Sequence, residues 1–252
     1  MLAASGLNVR PGESDDALTL AALGVLAATA AAVAHETLGH AGACLATGGQ
    51  VVRLTSIFFR CDPGRDVVDV AGPLAGLACW LAALGLHRRA GGPVARQFFL
   101  VLAAFALFWF FGQLAYGGLT RTDDWAFAAR STVWSFALGA AGVAGYVWTL
   151  RTVRRMAAAD GAGLTRLLLP YVAGALSAGL AGGLWRGGHM AGAREGLLTL
   201  GVAPLGYVWS AWRGHAASTA EGLPVVRDWR WIATAAATFA AFCATQGLGL
   251  GR

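Results

Sequence analysis

The chain has no lysine. Its formal charge of +6 rests wholly on arginine, with 19 basic residues against 13 acidic ones. Charge of either sign is scarce: Asp, Glu, Lys and Arg together make up 13% of the residues, against about 25% in an ordinary soluble domain. With 57% hydrophobic residues and apolar runs near or above ~18 residues recurring along the chain, the sequence excludes a conventional soluble protein and reads as an integral membrane protein. An arginine surplus in a soluble chain would suggest nucleic acid. Here no basic patch with interleaved aromatics is found, and the arginines gather in short links between apolar runs, where they set topology and meet anionic headgroups. No nucleic-acid partner is expected.

Cysteine is also sparse. Cys44, Cys61, Cys79 and Cys243 include no CxxC pair, which excludes a closed structural zinc site. Cys79 and Cys243 fall in apolar runs and read as small hydrophobes. Cys44 and Cys61 flank one polar segment and can pair if it faces an oxidising compartment. The "AAVA" before His35 has the look of a signal-peptide cleavage site, but Arg10 is offset by Glu13, Asp15 and Asp16, so the positive n-region is lacking. The first apolar run is therefore expected to be retained. No internal repeat points to an inverted-repeat transporter.

What is present is a series of apolar runs at roughly 17–38, 67–86, 97–117, 132–150, 167–185, 196–212 and 230–248. The expected fold is an all-α polytopic membrane protein of six to seven transmembrane helices, the sixth short. It follows a tail at 1–16, with a functional core at 17–127 and additional helices at 128–252. Pro73, Pro170 and Pro204 lie within or near the starts of spans, where they kink a helix or sit in its first turn. Stretches such as "GALSAGLAGG" suit close helix packing in a bilayer. The links after the second and fourth spans hold Arg88, Arg89, Arg96, Arg151, Arg154, Arg155 and Arg166, which places them and the N-terminus in the cytoplasm. The segment at 48–70, "GGQVVRLTSIFFRCDPGRDVVDV", has β-branched and aromatic residues around a "DPG" turn signal. It reads as a strand or hairpin between the first two spans. Trp125, Trp185 and Trp229, near span ends, suggest an aromatic belt.

The first span ends in "AAVAHETLGHAGACLATGG", 31–49. Ionisable groups inside a span cost a few kcal/mol and mark function by default. A divalent cation offsets that cost by pairing with the imidazoles of His35 and His40 and polarising a water. In the H-E-x-x-H motif two histidines at i and i+4 bind zinc and the glutamate acts as general base. Here the second histidine is at i+5, about 140° away on a regular α-helix. A π-bulge absorbs one residue and restores the shared face, with Gly39 supplying backbone freedom. The alternative is that both imidazoles simply hydrogen-bond to neighbouring helices.

The hexapeptide "HETLGH" resembles the H-E-x-x-G-H signature of the dipeptidyl peptidase III family of zinc peptidases, a local likeness to a soluble family. Residues 17–127 resemble the site-2 protease family of intramembrane zinc metalloproteases. That family has H-E-x-G-H in a first core helix, a β-like loop, a G-P-x-x-N-type motif opening the next helix, and a later aspartate as third ligand. The counterparts are "HETLGHAGACLATGG", "VVRLTSIFFRCDPGRDVVDV", "AGPLAGL" at 71–77 and "GGLTRTDDWAF" at 117–127. The chain departs from the pattern in its histidine spacing, in Gly76 where asparagine is usual, and in the lack of N-x-x-P before the aspartates. The resemblance implies His35, His40 and Asp124 as zinc ligands, with Asp123 the rival to Asp124, and Glu36 as the catalytic residue. "TDDW" also reads as a solvated turn and helix N-cap. His189 and Glu195 are expected in loop or capping roles, with a substitute third ligand the other reading, and His87 and His215 at the interface.

The expected function is thus a membrane-embedded zinc-dependent hydrolase of a bacterial inner (plasma) membrane. It would be an endopeptidase cleaving membrane-associated or transmembrane peptides by metal-activated water, with Zn2+ as cofactor. Its rivals are a non-catalytic metal- or haem-binding scaffold, and a transporter using the His/Glu cluster as a proton or cation relay.

Overall fold

The computed structural model describes residues 15–215 and 223–251, the side chains of 211–215 excepted. Residues 1–14 of the expected tail and the side chain of His215 lie outside them. Five helices among the described residues are long and apolar enough to cross a bilayer: Ala17–Ala46, Asp66–Arg89, Pro93–Thr120, Thr132–Ala159 and Leu164–Gly183. Among the described residues the fold is all-α apart from one hairpin, and it has the composition of an integral membrane protein.

The first of these helices is composite. Its α-helical part, α1 (Ala17–Ala32), is started by Asp16, whose carboxylate accepts from the Thr19 backbone N–H and hydroxyl at 2.8 Å each. A π-helical stretch, Val33–Ala41, follows, and the helix ends as α2 (Gly42–Ala46). Two antiparallel strands come next, β1 (Gln50–Leu54) and β2 (Phe59–Asp62). Their turn is held by Thr55, whose hydroxyl accepts from the Phe58 and Ile57 backbone N–H groups at 2.6 and 3.1 Å. The expected hairpin is therefore present. Cys44 and Cys61 form a disulfide that ties the end of α2 to β2.

Helices α3 (Asp66–Arg89), α4 (Pro93–Thr120), α5 (Thr132–Ala159) and α6 (Leu164–Gly183) complete the long spans. The two remaining expected spans are irregular. Residues from α7 (His189–Leu197) run through a π-turn and a short 3-10 turn at Pro204 into α8 (Gly206–His215). A second π-turn, Cys243–Gly247, ends α9 (Trp229–Phe242).

The bundle centres on α1 and α4. Of their most apolar windows, 67% and 72% is buried, against 28% for α3 and for α5. The outer helices instead present large apolar side chains outward, among them Leu74 and Leu81 on α3 and Val133, Phe136 and Val147 on α5. Such exposed faces suit contact with lipid. The molecule has two distinct ends. At one, Asp15 pairs with Arg166 at 2.7 Å, Asp160 pairs with His87 and Arg96, and Asp16 pairs with Arg227. At the other lie the hairpin, the disulfide, and a two-way backbone pairing of Leu54 with Leu250 at 2.8 Å.

The tryptophans expected to form a belt divide. Trp229 is exposed beneath the Arg227 guanidinium. Trp125 is buried, its ring 6.0 Å from Phe110, and Trp185 packs on Phe58 of the hairpin at 4.9 Å. Trp125 and Trp185 are packing residues, one buried and one half-buried at the hairpin end of the bundle.

Candidate metal centre

The π-helical stretch answers the spacing problem set by His35 and His40. In π geometry hydrogen bonds run between residues five apart, so i and i+5 share a face. The two Nε2 atoms lie 3.2 Å apart. Asp124 completes a triangle: its Oδ2 is 3.0 Å from His35 Nε2 and 3.3 Å from His40 Nε2. Among the described residues, these three form one group whose ligand atoms all lie within 4.8 Å of one another. A tetrahedral zinc ion with ligands at about 2.0–2.1 Å needs them about 3.3 Å apart. The observed edges match that requirement.

Each ligand is held from behind. His40 Nδ1–H donates to the Val68 carbonyl at 2.8 Å, which fixes the tautomer that leaves Nε2 as a lone-pair donor. Its ring stacks on Phe59 at 5.3 Å, and the His35 ring stacks on Trp109 at 4.2 Å. Gln113 Nε2–H donates to Asp124 at 2.7 Å and to Asp123 at 3.2 Å. Burial works to raise the Asp124 pKa, but the hydrogen bonds and charge of His35 and His40 outweigh it and hold the carboxyl well below its ordinary range.

The turn that delivers Asp124 is unusual. Arg121 and Asp123 both have left-handed backbone, with φ of 60° and 65°. Aspartate tolerates that region better than most residues, and the double reversal returns the chain from the end of α4 toward the first helix. Asp123 stays at the exposed rim; it is Asp124 that joins the histidines.

Two glycines make the crossing of α3 over the π-stretch possible. A Cβ on Gly39 would run into the backbone of Ala71 and Gly72, and a Cβ on Gly72 would run into the His40 ring at Nε2. Gly39 was expected to free the backbone for the bulge. Its contact shows that what it supplies is room for α3.

Glu36 is 4% exposed, and its Oε2 has no hydrogen-bond partner. It borders a cavity of about 160 Å³ that also touches His35, His40, Asp124 and Gln113. Of the weaker candidates, Glu195 lines this cavity without joining the ligand group, while His189 Nδ1–H donates to the Gly183 carbonyl at the end of α6, at 2.8 Å. His87 is buried and pairs with Asp160 at 2.6 Å. It lies in the last turn of α3, where it links that helix to the end of α5.

Gln113, Trp109 and Gly72 were not singled out from the sequence. Gln113 had a signal, being an amide within an apolar run; Trp109 and Gly72 are indistinguishable from packing residues until the fold is known. Comparison of the chain with family models, curated proteins and solved structures finds no match.

Proposed function

We propose that the protein is a membrane-embedded zinc-dependent hydrolase of the intramembrane metalloprotease type, an endopeptidase acting on membrane-associated or transmembrane peptides. The observation that carries this reading is the Nε2–Nε2–Oδ2 triangle with an unpartnered glutamate beside it. The site-2 protease-like order of motifs supports it.

His35, His40 and Asp124 would hold the zinc, which when bound would supply Lewis acidity and lower the pKa of a water toward ~7. Glu36 accepts the attacking water's proton on Oε2 and returns it to the leaving amine. Trp109 and Phe59 fix the imidazole planes and exclude bulk water, and Gln113 keeps Asp124 aimed at the histidines. An extended peptide pairs with β2, the strand whose Phe59 lies on His40. Pairing there exposes a peptide bond that a transmembrane helix would shield.

The same reading puts the protein in a bacterial inner membrane with six to seven spans. The hairpin end faces the oxidising side and the arginine-rich end faces inward. The Cys44–Cys61 disulfide and the arginines grouped at the opposite end support that orientation.

Glu36→Gln tests the assignment. The variant retains wild-type zinc content and loses turnover by about 10²–10⁴-fold, the range of general acid–base catalysis. Undiminished turnover would contradict the role given to Glu36. A non-catalytic scaffold would be indifferent to the change.

A further inference from the structure

The cavity beside the triangle is rich in hydrogen-bond acceptors and poor in donors. Five carboxylates line it, from Glu36, Asp69, Asp123, Asp124 and Glu195, and no arginine is among its lining residues. Asp124 is assigned to the metal and Glu36 to the proton, which leaves three acidic groups with no part in the hydrolysis. Gln113 adds to the surplus. Its N–H groups are directed at Asp123 and Asp124, so its Oε1 is the atom left over. It is buried without a donor in a side chain only 8% exposed. An acceptor shut away without a donor destabilises the fold, and more so if charged. A ligand that brings N–H groups and positive charge removes that cost through charge-assisted hydrogen bonds.

Glu195 is the informative member. It stands on α7, beyond the part of the chain that resembles any family, and Thr199, one helical turn later, lines the same cavity. A π-turn begins at Leu198, directly after α7, and α7 brings a carboxylate to the cavity from a part of the chain remote from the metal ligands. At about 160 Å³ the space suits one side chain; pockets for whole small molecules run to ~300–1,000 Å³.

We propose that this cavity is a specificity subsite for a cationic side chain, a guanidinium or ammonium group next to the scissile bond, with Glu195 as its principal anchor and Gln113 Oε1 as a further acceptor. The proposal rests on the hydrolase reading and names the substrate class for that site.

The test compares zinc-loaded full-length protein on paired peptides that differ only in arginine against citrulline, its neutral isostere, beside the cleavage point. Arginine is expected to raise kcat/KM at least about tenfold, as one charge-assisted hydrogen bond implies. In Glu195→Gln at equal zinc content the ratio falls to within about twofold. Equal rates for the two peptides in the wild type would overturn the subsite and leave the hydrolase standing. Calorimetric binding of the same peptides to Glu36→Gln provides a readout independent of turnover. If nothing is cleaved yet the arginine peptide still binds preferentially, and Glu195→Gln abolishes that preference, the subsite survives and the hydrolase reading fails. A second zinc equivalent whose binding requires Glu195 would also overturn the proposal, because the acceptors would then serve a metal.

Discussion

Gly72 shows how much of the site depends on one residue that carries no chemistry. The His40 ring lies against its Cα, in the space a methyl group would take. Gly72→Ala is therefore expected to displace Nε2 and abolish metal binding while the protein still inserts. Metal content of purified protein against wild type checks this, and a fully loaded alanine variant would contradict the packing argument. His35, Glu36 and His40 were legible in the sequence because ionisable groups stand out in an apolar run. Asp124 was legible only through a family likeness, since "TDDW" reads equally well as a solvated turn. Gly72 and Trp109 were not legible, because in a membrane chain small and aromatic residues are the ordinary material of packing. What sets them apart is a contact made across 30 residues or more, and no local pattern encodes it.

At the scale of the element, the π-stretch does the decisive work. It accommodates six residues, "HETLGH", where an α-helix presents two histidines with five, and Leu38, within it, is 69% exposed. Deleting Leu38 is expected to let the segment close as an α-helix with the histidines at i and i+4, preserving metal content to within about twofold. Loss of metal on deletion, with Leu38→Ala unaffected, would show that the π geometry is required in itself. The bulge was foreseen from the angle between the histidines, and the hairpin from its β-branched residues and turn. The irregular course of residues 189–215 was foreseen only in part: Pro204 and the short run at 196–212 pointed to a kink, whereas a π-turn has no compositional signature.

Among the described residues as a whole, the metal triangle sits at one end and most of the arginine ion pairs at the other, Arg130 with Asp66 at 2.7 Å being the exception. Asp160 ties three helices together by accepting from His87 and Arg96. Burial works to raise its pKa, but those two partners outweigh it and hold the carboxyl below its ordinary value. A depressed folded-state pKa contributes stability that is fully present above the unfolded value of about 3.9 and is lost as pH falls through the folded one. Thermal melts of the wild type should therefore lose stability on acidification below about pH 4. Asp160→Asn should be less stable by about 1.5–3 kcal/mol at neutral pH and lack that part of the acid response. An unchanged acid response would remove Asp160 from this role. The two-ended layout was partly legible from the arginine-bearing links, whereas Asp15 and Asp160 meet Arg166 and Arg96 only once the helices are packed.

Both the metal chemistry and the role of Glu36 require His35, His40 and Asp124 to converge on one cation. Metal analysis of purified protein, comparing the wild type with His40→Ala and Asp124→Ala, tests that convergence most directly. The expected result is about one equivalent of zinc in the wild type and a loss of most of it in either variant. Equal and negligible metal in all three would contradict the account, and with it the assignment of Glu36 and of the acidic cavity.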